Sequence, residues 1–283
     1  MAFECSILIT TYNAMKTICS SIQSVLNQID EDFEVIVVDN YSSDGTLEYL
    51  QKLADEGLIK LIVQKCNRGE GRQIALEQAE GEYVIARVDM DSVHYPIFKD
   101  LLELYIENER RIGRPFVLNA GVLISRKDFL LKVGGWRPLQ WGENYELYKR
   151  LIDKDCLYLC RVNESSLHIK EKFGILKRIH VSYISYRDSL RMGVKFIVIL
   201  KELKAKTKKL GFIIRVLILI WAWITHWFYS RYDTFKNITW KEFFQDGLYW
   251  DELNRFEEYH PDKVIDPPED LQPFSEMKTV KVR

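Results

Sequence analysis

Residues 5–40 read CSILITTYNAMKTICSSIQSVLNQIDEDFEVIVVDN and contain the clearest fold signal of the sequence. It begins and ends with apolar, β-branched runs at 5–12 and 33–40, which are typical of strands buried on both faces. Between these runs, residues 14–28 carry apolar side chains at helical spacing. The order strand, helix, strand predicts two parallel strands that are joined by a helix.

The same alternation continues to residue 89, with helices predicted at 42–55 and 71–81 and strands at 59–65 and 82–89. It predicts an α/β fold with a Rossmann-like, mostly parallel, doubly wound sheet. Ligands of such sheets bind beyond the carboxyl ends of the strands. We therefore expect one edge to be lined by the polar residues that close the strands: Thr11 and Tyr12, Asp39 and Asn40, and Asp89 and Asp91.

Composition narrows the class of protein. The 283 residues include 40 Lys and Arg against 41 Asp and Glu, a formal net charge of −1, which argues against a general nucleic-acid partner. The five cysteines form no CxxC pair, which favours reduced thiols in the cytosol. The N-terminus leads directly into a strand, so we expect no secretory signal.

The chain changes character after the sheet region. We predict a catalytic domain at 1–178, a helical membrane-associated region at 179–245 and an acidic tail at 246–283. The segment GFIIRVLILIWAWITHWFY, 211–229, is almost wholly apolar, follows a basic stretch and contains aromatic residues typical of a membrane interface. It predicts a spanning or interfacial helix with the catalytic domain on the cytoplasmic side, and an ordinary buried helix is the alternative.

Five motifs in order resemble those of the inverting, family 2 glycosyltransferases of GT-A fold. They are SILITTYNA, VIVVDNYSSDGT, NRGEGRQIALEQAEGEYVIARVDMD, GVLISRKDFLLKVGGW and GENYELYKRL, within residues 4–175. The resemblance implies transfer of a sugar from a UDP- or GDP-sugar with inversion. The donor-binding residues that it implies are Thr11, Tyr12, Asp39, Asp44, Arg72 and Asp89.

Each donor residue has a chemical reason. Asp39 can accept a hydrogen bond from a base N–H, and Thr11 and Tyr12 end the neighbouring strand where the base is expected. Arg72 can neutralise phosphate, or it can be an ordinary surface arginine of a helix. Asp44 can lie near the nucleotide and can equally cap the helix that follows it.

The resemblance places Asp89-Met90-Asp91 at a DxD metal motif. Carboxylate oxygens are ligands that Mg²⁺ and Mn²⁺ accept, and such a cation offsets the charge of a departing diphosphate. Many relatives carry a C-terminal histidine at the metal or diphosphate, and His168 lies near that position. We expect a divalent cation at Asp89, Asp91 and His168.

The expected catalytic base is missing from its usual place. Relatives carry an Asp that deprotonates the acceptor hydroxyl, and here that position is Asn144, whose amide cannot accept a proton. Either Glu143 or Glu146 takes over, or the enzyme is impaired, or the acceptor needs no base. A lipid phosphate is already ionised, and we expect that arginines could hold it: Arg114, Arg126 and Arg137.

The leading hypothesis is a membrane-associated, metal-dependent glycosyltransferase whose acceptor is a polyprenyl phosphate or a glycan. A nucleotidyltransferase also uses a Rossmann-like sheet and acidic metal ligands, but the basic, glycine-rich phosphate loop is missing here. A nucleotide-binding module or impaired scaffold with the same fold is the alternative that Asn144 favours.

Overall fold

A computed structural model describes residues 3–160, 166–168, 174–206, 209–236 and 261–265. The chain divides into two compact units. The sheet unit comprises Met1–Gly135, Leu151–Lys170 and Asp262–Arg283, and the helical unit comprises Trp136–Arg150 and Glu171–Pro261. The predicted domain boundaries at 178 and 245 stay a prediction, and most of the predicted tail lies outside the described residues.

Among the described residues, the sheet unit contains one large sheet of eight strands in the order β10-β8-β6-β7-β4-β1-β2-β3, with the residue ranges that follow. Its strands are β1 (Cys5–Thr11), β2 (Phe33–Asp39), β3 (Lys60–Val63), β4 (Tyr83–Val88), β6 (Val117–Asn119), β7 (Leu123–Arg126), β8 (Leu157–Cys160) and β10 (Val264–Ile265). A separate two-stranded sheet pairs β5 (Ser92–His94) with β9 (Ser166–His168).

The large sheet is mostly parallel, which confirms the predicted α/β class. Strand β1 pairs in parallel with β2 and β4, and β2 pairs in parallel with β3. Only β7 runs the opposite way among the described strands of this sheet, because it is antiparallel to both β4 and β6. The carboxyl ends of β1, β2 and β4 therefore meet at one edge, as the alternation predicted.

Helices of the sheet unit cover a core in which β1, β2 and β4 are almost completely buried. They are α1 (Ile18–Leu26), α2 (Thr46–Asp55), α3 (Arg68–Gln78), α4 (Phe98–Ile112) and α5 (Lys127–Lys132). Asn67 caps α3 in a capping box with Glu70, so this helix begins earlier than predicted. A Cβ atom on Gly71 would lie 2.9 Å from Cγ2 of Thr10, so this glycine allows α3 to pack closely on β1.

Two features of the sheet lie outside the predicted strand–helix alternation. Strands β6 and β7 form a hairpin, and Gly121 between them has a φ of +80°. Within the predicted tail, Val264 and Ile265 form β10 and pair with β8 in parallel. Ile265 is buried in the core, and Lys263 beside it donates a hydrogen bond to the hydroxyl of Tyr158.

The helical unit has its own apolar core, which includes Leu139, Tyr186, Leu219 and Ala222. Its helices are α6 (Glu143–Asp153), which ends in the sheet unit, α7 (Ile175–Arg191), α8 (Phe196–Lys206) and α9 (Lys209–Thr225). Short 3₁₀ turns occupy His226–Phe228 here and Pro261–Lys263 at the start of the final described segment. Among the described residues, one helical stretch, Gly211–Phe228, is long and apolar enough to cross a membrane by length and composition.

Candidate functional site

The two carboxylates of the DxD motif follow β4 at the carboxyl edge of the sheet. Asp89 and Asp91 are exposed, whereas Met90 between them is buried in the core. Met90 and Asp91 form a turn between β4 and β5, and the buried methionine anchors this turn while the carboxylates on either side stay in solvent. The serine that follows, Ser92, lies 3.4 Å through its hydroxyl from Oδ1 of Asp91.

A buried arginine holds the first of these carboxylates. Nη2 of Arg72 donates to Oδ1 of Asp89 at 3.0 Å, and the arginine side chain is 4% exposed while that of Asp89 is 51% exposed. The alternative of a surface arginine is therefore wrong. Burial alone would raise the pKa of Asp89, but the charges of Arg72, Arg68 and Arg87 outweigh it and lower the pKa. The carboxylate is thus ionised and surrounded by cations.

The backbone before the DxD motif is irregular. The pairing of β1 with β4 shifts register between Ile7 and Ile9, and Arg87 of β4 has a φ of +62°. The shift places one extra residue in β4, and such a β-bulge changes the direction of the side chains that follow it. A positive φ is rare for a residue other than glycine. Arg87 was not predicted as a site residue, although its position two residues before Asp89 was the available signal.

A second residue that the sequence analysis missed is His94. Burial lowers its pKa, so the ring is neutral, and Nε2 lies 3.0 Å from the backbone carbonyl oxygen of Asp89. A neutral ring that donates from Nε2 leaves Nδ1 as an acceptor, and this buried atom has no hydrogen-bond partner among the described residues. His94 therefore supports the main chain of the DxD motif from inside the fold.

The pairing of β5 with β9 brings the backbone of His168, the predicted third metal ligand, next to the DxD motif. His168 pairs with Ser92, which directly follows Asp91. Among the described side chains, no group of three His, Cys, Asp or Glu residues could hold a metal. Mg²⁺ is commonly bound by one or two carboxylates together with substrate phosphates and water, so the exposed pair of carboxylates fits Mg²⁺ or Mn²⁺.

The predicted nucleotide side lies at the ends of β1 and β2, where Thr11 is opposite Asp39. Asp39 is fully buried, and both its oxygens accept from Ser42, at 2.7 Å from the amide and 2.6 Å from the hydroxyl. The buried hydroxyl of Thr11 has no hydrogen-bond partner among the described residues. Tyr12 and Tyr41 follow these strands and are 59% and 60% exposed, which leaves two aromatic rings available at this edge.

Asp44 organises the loop that leads into α2. Its Oδ1 accepts from the Thr46 hydroxyl at 2.6 Å, and its Oδ2 accepts from the amide of Met15 at 3.0 Å. Burial alone would raise the pKa of Asp44, but these hydrogen bonds lower it. The residue at the N-cap position itself is Gly45. Asp44 therefore has a structural role at this loop, and its contact with a nucleotide stays a prediction.

The residues proposed for base catalysis belong to the helical unit. Oδ1 of Asn144 accepts from the indole Nε1 of Trp136 at 2.9 Å. Glu146 is fully buried and accepts from Nη2 of Arg150 at 2.8 Å and from the hydroxyl of Thr234 at 2.8 Å. Glu143 is buried, at 3% exposed. The donors on Glu146 argue against its replacing the missing base.

Two of the three arginines proposed for an acceptor phosphate lie at the wrong edge of the sheet. Arg126 pairs with Tyr83, the first residue of β4, and Arg114 precedes β6, which runs parallel to β4. Both lie at the amino edge, about 20 Å from the DxD edge by strand length. Arg126 binds Glu109 and Glu82, and Arg114 binds Asp155.

Arg126 lies at the amino edge because β7 reverses the chain direction, and Arg114 lies there because the parallel strand β6 begins there. These positions argue against a role for either arginine towards an acceptor phosphate at the DxD edge. Arg137, in the helical unit, contacts the Tyr232 ring at 5.5 Å and Glu146 at 3.9 Å. Its role towards a phosphate stays a prediction.

We expect substitutions of Asp89 and of Arg72 to lower the free energy of unfolding by different amounts. Asp89→Asn should lower the free energy of unfolding by about 2 kcal/mol, because it weakens a hydrogen bond to a buried charge. Arg72→Met should cost about 1 kcal/mol or less, because the half-exposed Asp89 remains hydrated and its pairing is screened by solvent. Urea denaturation followed by circular dichroism would measure both.

The pH dependence of the free energy of unfolding provides an internal control for the Arg72–Asp89 prediction. The folded-state pKa of Asp89 is lowered, so its contribution is present above the unfolded value near 4 and is lost as pH falls through the folded value. The deficit of Asp89→Asn should therefore shrink below about pH 4. Equal costs for the two variants, or a deficit independent of pH, would contradict the geometry described above.

The mostly parallel sheet with exposed carboxylates at its carboxyl edge matches solved glycosyltransferase structures of GT-A fold. A matching structure is Staphylococcus aureus TarS 1–349 in complex with UDP-GlcNAc, with a TM-score of 0.51 and 18% identity. The match covers 95% of this chain and 83% of that chain. The model of glycosyl transferase family 2 matches residues 6–159, more than half of the sequence, and the chain belongs to this family.

Two relatives act on lipid-linked substrates, according to their names. The GalNAc(5)-diNAcBac-PP-undecaprenol beta-1,3-glucosyltransferase of Campylobacter jejuni is 28% identical over 213 residues, which cover 66% of this chain and 67% of that protein. The Escherichia coli UDP-Glc:alpha-D-GlcNAc-diphosphoundecaprenol beta-1,3-glucosyltransferase WfaP is 36% identical over 87 residues, 30% of this chain and 34% of that protein. The chain spans only between 26% and 43% of the length of three further relatives.

Proposed function

We propose that the protein is a metal-dependent, inverting glycosyltransferase that uses a UDP- or GDP-sugar and acts on a lipid-linked acceptor at the cytoplasmic face of a membrane. The observation that carries the proposal is the exposed Asp89–Asp91 pair, with Asp89 fixed by the buried Arg72 at the carboxyl edge of the sheet. The family, the names of the two relatives and the candidate membrane helix support it.

The donor would bind along the edge from β2 to β4. Tyr12 and Tyr41 offer exposed rings for the base, and the unpartnered hydroxyl of Thr11 offers a hydrogen bond beside Asp39. Asp39 has carboxylate lone pairs beyond those that Ser42 uses, so it can still accept from a base N–H. These residues would bind and orient the nucleotide.

Asp89, Asp91 and His168 would hold Mg²⁺ or Mn²⁺ at this edge. When bound, the cation supplies the positive charge that offsets the negative charge on the departing diphosphate. In a single displacement, the acceptor oxygen forms its bond to the anomeric carbon as the bond from that carbon to the diphosphate oxygen breaks. Arg72 holds Asp89 in place throughout.

We propose that the nucleophile is a polyprenyl phosphate oxygen, which is ionised at neutral pH and needs no base. Support comes from Asn144, which accepts from Trp136, and from Glu146, which is occupied by Arg150 and Thr234. The second candidate nucleophile is a sugar hydroxyl on a lipid diphosphate, and the names of the C. jejuni and E. coli relatives favour it.

Incubation with radiolabelled nucleotide sugars would test the function directly. We expect label to move to polyprenyl phosphate in the presence of Mn²⁺, and transfer only to sugar hydroxyls would refute the phosphate nucleophile. Calorimetry with UDP and GDP, with and without Mn²⁺, tests the donor site separately. Failure to bind either nucleotide would favour the scaffold alternative.

Asn144→Asp distinguishes the two nucleophiles. A carboxylate at this position still accepts from Trp136 and also provides a base. If the nucleophile is a phosphate, the rate should stay within about threefold of the original, because no proton has to be removed. An increase of about a hundredfold or more on a hydroxyl acceptor would overturn this assignment. Asn27→Asp, at an exposed position after α1, is the matched control, because its side-chain oxygen also accepts from another side chain, that of Gln23.

A further inference from the structure

One long side of α9 is exposed and apolar. Its residues 213, 217, 220, 224 and 227 recur at intervals of three and four, so they share one face of the helix and its 3₁₀ extension. The apolar face consists of Ile213, Ile214, Leu217, Ile220, Ile224, Trp227 and Phe228, with exposures from 40% to 82%. The charged residue within this stretch, Arg215, lies on another side of the helix, where it bonds to Tyr186.

The other side of α9 packs on the protein. Ile218, Leu219 and Ala222 are buried in the core of the helical unit. Tyr183 of α7 stacks on Trp221 with ring centroids 4.0 Å apart, and its hydroxyl lies 2.9 Å from that of Thr225. Helix α9 is therefore packed along its length against α7 and the core of the helical unit.

This arrangement argues against both a buried core helix and a spanning helix. Only 22% of the Gly211–Phe228 window is buried, whereas a core helix would be mostly buried. A spanning α9 would carry α7 with it into the hydrocarbon, and α7 contains Arg187, Asp188 and Arg191. Charged side chains inside a bilayer are costly, so α9 is poorly suited to cross one while it remains packed.

The sequence before and after the apolar face is rich in bases, which is complementary to anionic lipid. Besides Arg215, residues 195–232 of the sequence include a single acid, Glu202, and a larger set of bases: Lys195, Lys201, Lys204, Lys206, Lys208, Lys209 and Arg231. Basic residues near a membrane surface are attracted to anionic head groups. At the far end of the face, the guanidinium of Arg231 lies 4.7 Å from the ring centre of Trp227, a pairing suited to the head-group region.

We propose that α9 lies in the plane of an anionic bilayer and inserts its apolar face into the boundary between head groups and acyl chains, without crossing. Basic residues that precede and follow the face in the sequence would contact the head groups, as in other interfacial helices. The inference rests on the membrane association within the proposed function, and it specifies the mode of attachment. It concerns the helical unit alone and does not depend on which sugar is transferred.

Flotation of the full chain with vesicles tests the attachment. We expect binding to phosphatidylcholine vesicles that contain phosphatidylglycerol, and weaker binding to phosphatidylcholine alone. Leu217→Glu combined with Ile224→Glu should lower the partitioning of the protein onto vesicles about a hundredfold, because two apolar side chains can no longer insert into the bilayer. Leu58→Glu is the matched control, since Leu58 is 47% exposed in the sheet unit, and it should float normally.

Topology is measured on the same vesicles by thiol labelling. In a protein whose own cysteines are replaced by serine, Lys204→Cys and Ser230→Cys place thiols on either side of the apolar face. An in-plane helix predicts that an impermeant maleimide added outside labels both, whereas labelling of only one would show a crossing helix and overturn the proposal.

Donor hydrolysis, measured in parallel, separates the attachment from the enzyme activity. A protein that hydrolyses nucleotide sugar but does not float would refute the attachment and leave the transferase proposal intact. Concentration-dependent dimers that do not float would instead identify the face as a protein interface. A protein that floats and labels at both sites but neither binds nor hydrolyses nucleotide sugar would refute only the proposed function.

Discussion

Replacing Asp91 by asparagine is expected to reduce sugar transfer by about 10² to 10⁴ while leaving the fold unchanged. The side chain is exposed beside the carboxyl end of β4, so the amide can be accommodated without repacking. A neutral amide is a weaker ligand for Mg²⁺ or Mn²⁺, and the loss of several kcal/mol of charge stabilisation at the departing diphosphate gives a change of this size. Initial rates over a range of Mn²⁺ concentrations would measure it.

The matched control for this prediction is Asp100→Asn, an exposed aspartate near the start of α4. It should retain transfer within about twofold, since surface changes of this kind have small effects. Calorimetry adds a second measurement, because Mn²⁺ should increase UDP or GDP affinity in the original protein and not in Asp91→Asn. Undiminished transfer by Asp91→Asn at low Mn²⁺ would exclude this carboxylate as a metal ligand.

Asp188→Asn is expected to destabilise the helical unit by about 3 to 5 kcal/mol. Asp188 is fully buried; Oδ1 accepts from Arg187 at 2.9 Å and from Arg191 at 3.1 Å, and Oδ2 accepts from the amides of Gln140 and Trp141. An amide has only one accepting oxygen, so either two arginines or two backbone amides would face an NH₂ group. The buried charges would then lack their counter-ion.

Tryptophan fluorescence reports on this unfolding, because the five tryptophans among the described residues, Trp136, Trp141, Trp221, Trp223 and Trp227, all belong to the helical unit. Asp233→Asn is the control, since Asp233 is 48% exposed and its ion pairs are long, at 3.6 and 3.9 Å. It should change stability by about 0.5 kcal/mol or less. Similar urea midpoints for Asp188→Asn and the original protein would show that the carboxylate does not link α7 to the 140–141 loop.

The parallel core of the fold could be predicted because its signal is local. Apolar runs such as 33–40 and helical spacing such as 14–28 are visible within a dozen residues, and the structure places β2 and α1 inside these ranges. The clustering of Asp39 and Asp89 at one edge follows from strand direction alone. Arg72 was predicted at the donor site for its charge, whereas the structure shows it buried beneath Asp89.

Features that depend on pairing over long sequence distances could not be predicted. The register shift at Arg87 exists only because β4 pairs with β1, and the direction of β7 depends on the turn at Gly121. That reversal moved Arg126 to the opposite edge from the DxD motif. His94 carries no motif of its own, and its importance appears only when its ring is found against the Asp89 carbonyl.

The short strand β10 has a practical consequence for work with shortened proteins. A chain that stopped before Pro261 would remove β10 and leave the backbone amides and carbonyls of β8 without their partner. An open strand edge of this kind recruits strands from other molecules. Expression boundaries placed after the helical unit would therefore favour self-association and precipitation, and a catalytic fragment should retain the segment that returns to close the sheet.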